Sequence, residues 1–337
     1  MQFKNNRCFV SFKRRYRFQW PLYLFLLLAT ACSHKIGSND RSKKNDFRVL
    51  GYLFSRNNWG ADIDSIDLAQ VTDLNLAFLN PDTSGKLPSY PPLHDVVRKA
   101  HDKQVRVYMS IGGGDPPPHL RSLMEPANRA KFIDGLINAV TTYDFDGIDV
   151  DIENALVNEN YAGFVSELSH RLKPLSKKMT AALASWNANL IHDSTMQHYD
   201  YINIMSYDRT GPWNPDRPGQ HSPLSMAKDD FNFYHNQRGI AAEKLLIGLP
   251  FYGYGFGSGV PPGSSYRNII SMYPGAEKMD SIVVTAGGTI YYNGMPTIGK
   301  KVKFAREQGA AGVMIWQLKG DDPGAFSLLK LINKIAR

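Results

Sequence analysis

Eight times between residues 49 and 335 the sequence repeats one unit: a short apolar run, a loop, then a stretch of helical periodicity. The runs fall at 49–54, 73–79, 106–112, 145–153, 179–185, 201–207, 244–251 and 312–318. Each is short, apolar and bounded by turn-forming residues, which suits strands buried on both faces. The stretches at 93–102, 128–143, 160–172, 224–237, 297–308 and 325–335 space their apolar residues as amphipathic helices do. Eight such alternations in one domain (46–337) predict an α/β fold, a closed (β/α)₈ TIM barrel rather than an open sheet. Helices after the first and fifth runs are weakly marked. The connection at 254–290 is long and punctuated by Gly and Pro. It is expected to be a loop forming one groove wall, because loops that follow the strands build the site in such barrels.

The fourth run, Phe145-Asp146-Gly147-Ile148-Asp149-Val150-Asp151-Ile152-Glu153, carries acids where a strand interior should be apolar. Asp149, Asp151 and Glu153 are two apart, so a strand turns all three to one face and Ile148, Val150 and Ile152 to the other. In a barrel the acidic face is the interior, with Glu153 at the rim that bears function. Stacked carboxylates out of water repel one another, which forces at least one to keep its proton and drives neighbouring pKa values apart. A proton-holding acid beside an ionised partner is what general acid catalysis needs. Two other readings are a divalent-cation site, since hard cations favour oxygen ligands, and a solvated polar face. The apolar alternates argue against the second. The histidines show no metal-ligand spacing. Gly112-Gly113-Gly114 lacks the Lys-Ser/Thr and helix of a phosphate loop, and is expected to be a tight turn close to the acids. No cofactor or metal is implied.

The amino terminus is a different kind of sequence. Lys4, Arg7, Lys13, Arg14, Arg15 and Arg17 precede an apolar core at 22–28 and the small residues Ala29-Thr30-Ala31. This reads as an export signal (1–31), because a membrane-spanning helix needs roughly 20 apolar residues. Those six cations account for most of the net charge of +8, leaving +2 for the remainder. A nearly neutral body offers no basic face for nucleic acid. Cys32 follows the small residues directly and resembles the cysteine of a bacterial lipobox, although Ala29 stands where Leu is usual. The resemblance implies a lipid on Cys32 and membrane attachment through a polar tether (32–45). The only other cysteine, Cys8, lies in the leader, so the mature body has no disulfide and must be stabilised by its core.

Asp146-x-x-Asp149-x-Asp151-x-Glu153 resembles the D-x-x-D-x-D-x-E signature of glycoside hydrolase family 18, the chitinases and their relatives. Further segments follow in that family's order. Ser110-Ile111-Gly112-Gly113 is similar to its S-x-G-G, and Met205-Ser206-Tyr207-Asp208 to its M-x-Y-D. Gly211-Pro212-Trp213 with His221-Ser222-Pro223-Leu224, then Phe251-Tyr252-Gly253 and Met314-Ile315-Trp316, complete the resemblance. It implies that Glu153 protonates the glycosidic oxygen while Asp151 orients the substrate's own 2-acetamido group, whose oxygen attacks the anomeric carbon. Asp149 would share a proton with Asp151, Tyr207 would bond the acetamido carbonyl, and Asp208 would support the same sugar. No enzyme nucleophile is then needed.

Trp316 is expected as the apolar floor under the sugar and Trp213 as a stacking platform. Tyr52, Phe78, Trp186 and Tyr252 end strands and line the pocket unless they are plain packing. Asp146 and Met205 join the substrate-binding set through the resemblance. The implied partner is chitin or N-acetylglucosamine oligosaccharides, met by a monomer exported to the periplasm or cell surface. The 254–290 connection is too short for the α+β insertion of many chitinases, which implies a more open groove. An endo-β-N-acetylglucosaminidase acting on the chitobiose core of N-glycans would use the same acids. A lectin on the same barrel would usually lack the acid that Glu153 supplies.

Overall fold

Period-two alternation runs through every barrel strand and sorts the side chains into two cores. The structure, a computed structural model, describes residues 47–337. Residues 1–31 and 32–45, expected above to be leader and tether, lie outside the described residues, Cys32 with them. The barrel strands are β1 (Arg48–Phe54), β2 (Asp73–Ala77), β3 (Arg106–Gly112), β4 (Gly147–Asp151), β5 (Lys178–Leu183), β6 (Tyr201–Ile204), β7 (Leu245–Pro250) and β12 (Gly312–Trp316). They pair in parallel and close in the order β1-β12-β7-β6-β5-β4-β3-β2, as the sequence predicts. On β4, Ile148, Val150 and Ile152 enter the outer core under the helices. The inner core holds Leu50 and Tyr52 of β1, Leu246 of β7 and Met314 of β12.

The surrounding helices are α1 (Trp59–Asp64), α2 (Pro92–His101), α3 (Leu120–Leu123), α4 (Pro126–Thr142), α5 (Tyr161–Leu172), α6 (Asp193–Met196), α7 (Leu224–Asn232), α8 (Tyr266–Met272), α9 (Met295–Glu307) and α10 (Leu328–Ala336). The two weakly marked positions, after β1 and β5, hold the short α1 and α6. Helix α10 buries Leu328, Leu329, Ile332 and Ala336 along one stripe. Its free N–H groups are met locally: Ser327 Oγ accepts from Lys330 N at 3.1 Å, and the Asp321 carboxylate accepts from the N–H groups of Leu328 and Leu329. At the amino-terminal end of the barrel, buried Asp73 accepts from Arg48 and Arg106 and closes that end with ion pairs. Both guanidiniums keep the carboxylate compensated there.

The 254–290 connection is not an irregular loop. Its chain forms β8 (Tyr252–Phe256), β9 (Gly263–Ser265), β10 (Ser281–Val283) and β11 (Thr289–Tyr291), an antiparallel sheet in the order β10-β11-β8-β9, with α8 between. The strands were missed because three of the four are only three residues long, too short to show alternation.

Candidate active site

Register places the acids against polar residues from the neighbouring strands. Ser110 of β3 lies beside Asp149, and Asp149 beside Thr180 of β5. Asp149 Oδ2 accepts from Tyr52 OH (2.6 Å) and Ser110 Oγ (2.8 Å), and Oδ1 from Thr180 Oγ1 (2.6 Å) and Asn203 Nδ2 (3.0 Å). Five barrel strands thus meet at one fully buried carboxylate. Burial pushes its pKa up, and the four donors pull it back. Donors from four other strands thus approach both oxygens of Asp149, and burial still leaves its pKa raised.

Asp151, the next acid outward, is buried, and its Oδ1 has no hydrogen-bond partner. Burial, then the charges of Glu153 and Asp149, holds its carboxyl well above the usual carboxylate range. Glu153 continues the extended path of β4 (φ −118°, ψ 167°) and emerges partly exposed at the rim. Its pKa rises from 4.5 to about 7, first through burial and second through the charge of Asp208. A carboxyl half-protonated near neutrality, at the mouth of a cleft, is suited to donating a proton.

The glycines of β3 allow this stack to form. Gly112 and Gly113 have φ of 100° and 93°, and a Cβ on Gly112 would lie 2.1 Å from the Asp151 carbonyl oxygen. Gly113 N donates to that same oxygen at 2.8 Å. The turn is therefore the tight approach to the acids that the sequence implied.

Tyr207 and Asp208 leave β6 towards the same cavity. Tyr207 is buried with its hydroxyl donating to Met314 Sδ at 3.7 Å. Asp208, at φ 62°, accepts from Tyr252 OH and from Tyr254 OH (3.1 Å), and lies 3.4 Å from His221 Nδ1. Burial lowers the His221 pKa, which keeps that ring neutral. Beneath them Trp316 meets Tyr52, Phe54 and Phe78 with ring centroids 5.4, 6.2 and 5.7 Å away, an aromatic floor on the β1–β2–β12 side.

Beyond Glu153 a cleft of about 820 Å³ runs past Gly114, Asn154, Ser185, Trp186, Asp208, Arg209 and Trp213 to Met226, Asp229 and Asp230 of α7. Trp213 is 61% exposed and packs edge-on against Tyr254 at 5.2 Å. Tyr254 belongs to β8, so the small inserted sheet supports this wall, contrary to the expectation of a loop there.

Two sequence-derived assignments change. Asp146 precedes β4 at the opposite end of the strand, where its Oδ2 accepts from Val107 N (2.7 Å) and pairs with His101 Nε2 (2.9 Å). It ties the base of the barrel together and cannot reach a substrate at the rim, because strand length separates the two ends. Tyr52 is buried and acts through its hydroxyl on Asp149 rather than lining a pocket. Met205 is buried in the inner core to the same degree as Tyr207. Thr180, Asn203, Tyr254 and Arg209 were not anticipated. Thr180 and Asn203 did leave a trace in the sequence, as polar residues interrupting apolar strand runs.

Residues 48–321 match the family described as glycosyl hydrolases family 18. A family 18 chitinase from the chitin utilization locus of Flavobacterium johnsoniae superposes with a TM-score of 0.78 at 35% identity, over 86% of this chain and 94% of that one. A chitinase from Bacteroides thetaiotaomicron gives 0.73 at 27% identity, over 86% and 96%. A probable endochitinase of Caenorhabditis elegans is 27% identical over 71% of this chain, which spans 48% of that relative's length.

Proposed function

The chain belongs to glycosyl hydrolases family 18, and from that premise we infer that it hydrolyses the β-1,4 linkages between N-acetylglucosamine units of chitin or chito-oligosaccharides. The observation that carries this is Glu153, a carboxyl raised to about 7 at the mouth of the cleft, directly above buried Asp151. Glu153 donates its proton to the glycosidic oxygen as the bond breaks. Asp151, its pKa held well above the usual carboxylate range first by burial, turns towards the sugar's acetamido group and orients it, and Tyr207 bonds the acetamido carbonyl. The acetamido oxygen closes on the anomeric carbon from within the substrate, where proximity replaces a protein nucleophile. Glu153, now ionised, accepts a proton from the incoming water. Asp208 holds the same sugar. Tyr252 and Tyr254 fix Asp208, the aromatic floor carries the sugar's apolar face, and Trp213 stacks on the part of the chain beyond Glu153.

Products from chito-oligosaccharides, compared with those from a high-mannose glycopeptide, test the reading. Release of short N-acetylglucosamine oligomers is expected. Cleavage of the glycopeptide alone would replace the reading with an endo-β-N-acetylglucosaminidase.

The amino terminus supports export and lipid attachment. Residues 1–31 are taken as a leader of lipoprotein type, Cys32 as the lipid-bearing residue and 32–45 as the tether, in a protein facing the periplasm or cell surface. Every residue given a role above lies in one chain, and a monomer is the proposed working unit.

A further inference from the structure

Behind the cleft wall lies a cation that the reaction described above does not use. Lys301 of α9 is fully buried, and burying an ammonium is costly unless each N–H is matched. All three are: Nζ donates to Ser222 O (2.8 Å), Ser222 Oγ (2.6 Å) and Asn293 Oδ1 (2.8 Å). Asn293 Nδ2 donates to the same Ser222 carbonyl at 3.0 Å. Ser222 is fully buried too, and its hydroxyl donates to Ser206 O at 2.6 Å. Ser206 immediately precedes Tyr207 and Asp208. On the other side, Arg209 N donates to His221 O at 3.0 Å, and His221 Nδ1 lies 3.4 Å from Asp208 Oδ1. The segment 206–209 is therefore held to 221–222 at both ends, and 221–222 is held to α9 by Lys301.

We propose that Lys301 is a positioning residue for the Tyr207–Asp208 arm, acting through Ser222 on Ser206 and through the Ser222 backbone on His221. The inference rests on the reading of Tyr207 and Asp208 as the residues that hold the reacting sugar. Two of the three acceptors of Lys301, the carbonyl and hydroxyl of Ser222, belong to the loop that follows that arm, and the third, Asn293, lies just ahead of α9; none is on a barrel strand, so a frame-stabilising role alone does not account for where its charge is spent. The charged and titratable groups around it are Asp280, Asp230 of α7 and His221. Burial lowers the Lys301 pKa to about 7, while Asp280 and Asp230 raise it. Lys301 in turn lowers the His221 pKa, which favours the neutral ring beside Asp208.

The test is steady-state kinetics of the full chain carrying Lys301→Met, on chito-oligosaccharides and on an aryl chitobioside whose leaving group needs little protonation. Misplacing a reacting group by about 1 Å costs up to ~10²-fold, so kcat of the folded variant should fall at least ~10-fold. KM should change by less than about two-fold, because an arm that acts as the acetamido group attacks contributes chiefly to the transition state. The loss should be equal on both substrates, whereas loss of the general acid is partly relieved on the aryl one. An unchanged kcat per folded molecule, or a loss confined to KM, would overturn the proposal. Ser222→Ala removes the link to Ser206 together with one Lys301 acceptor, and leaves Lys301 with the Ser222 carbonyl and Asn293. If the Met variant does not fold, Ser222→Ala decides by the same measure, and an unchanged kcat there overturns the proposal. Wild-type protein inactive on both substrates would instead sink the reading on which it rests.

Discussion

Replacing Asp208 by Asn removes one charge from the surroundings of Glu153 while keeping a side-chain oxygen to accept from Tyr252 and Tyr254. In the folded protein the Glu153 carboxyl moves from 4.5 to about 7, which corresponds to about 3 kcal/mol against ionisation at 1.36 kcal/mol per pH unit. Burial is the larger cause and the Asp208 charge the second, so less than half of that rise belongs to Asp208. A negative neighbour disfavours the carboxylate, and its removal lowers the Glu153 pKa. The protonated acid is then lost at lower pH, and the alkaline arm of the kcat profile moves towards acid by less than about one pH unit. The profile is measured from pH 4 to 9 on chito-oligosaccharides, with Asp151→Asn alongside. Asp151 is held well above the usual carboxylate range, first by burial and then by the charges of Glu153 and Asp149, so it keeps its proton more readily than a surface acid and its amide variant should shift that arm less. An arm that stays put in Asp208→Asn, or moves further in Asp151→Asn, would show that Asp208 is not the charge that tunes the acid.

Glu153→Gln should lower turnover of chito-oligosaccharides by ~10²–10⁴, the usual contribution of a general acid, with a smaller loss on aryl substrates; retention of a tenth of the natural rate refutes the assignment. The same variant tests linkage. A folded-state pKa of about 7 against 4.5 unfolded means that the stability contributed by Glu153 is present below 4.5 and lost as pH rises to 7. Glu153→Gln should therefore gain melting temperature relative to wild type across that window. Proton NMR of fresh hydrolysate should show the β-anomer first, and oligomers without the N-acetyl group should be nearly inert; initial α-product excludes attack by the acetamido oxygen. Cys32→Ala should abolish lipid attachment and release the protein from membranes, as radiolabelled palmitate and fractionation would report. Gly112→Ala should be strongly destabilising in thermal melts, because its Cβ would lie 2.1 Å from the Asp151 carbonyl oxygen in a backbone at φ 100°.

The sequence by itself determined the barrel and the acid ladder, for one physical reason: both are local periodicities. Alternation places Ile148, Val150 and Ile152 outward and Asp149, Asp151 and Glu153 inward, whatever the neighbouring strands are. Residues 1–31, read as a leader, also stand apart from the rest of the chain in charge and apolar patterning. Neighbourhood across strands was left to the tertiary structure. Asp146 shares the motif yet sits at the amino-terminal end of β4, since the motif spans the whole strand and only its last residue reaches the rim. The four donors on Asp149 come from β1, β3, β5 and β6. The charge of Asp208, on the segment after β6, raises the Glu153 pKa, and Lys301 reaches Ser222 across 79 positions of chain. Hydrogen bonds and charge coupling depend on distance in space, and barrel closure, not sequence spacing, sets those distances.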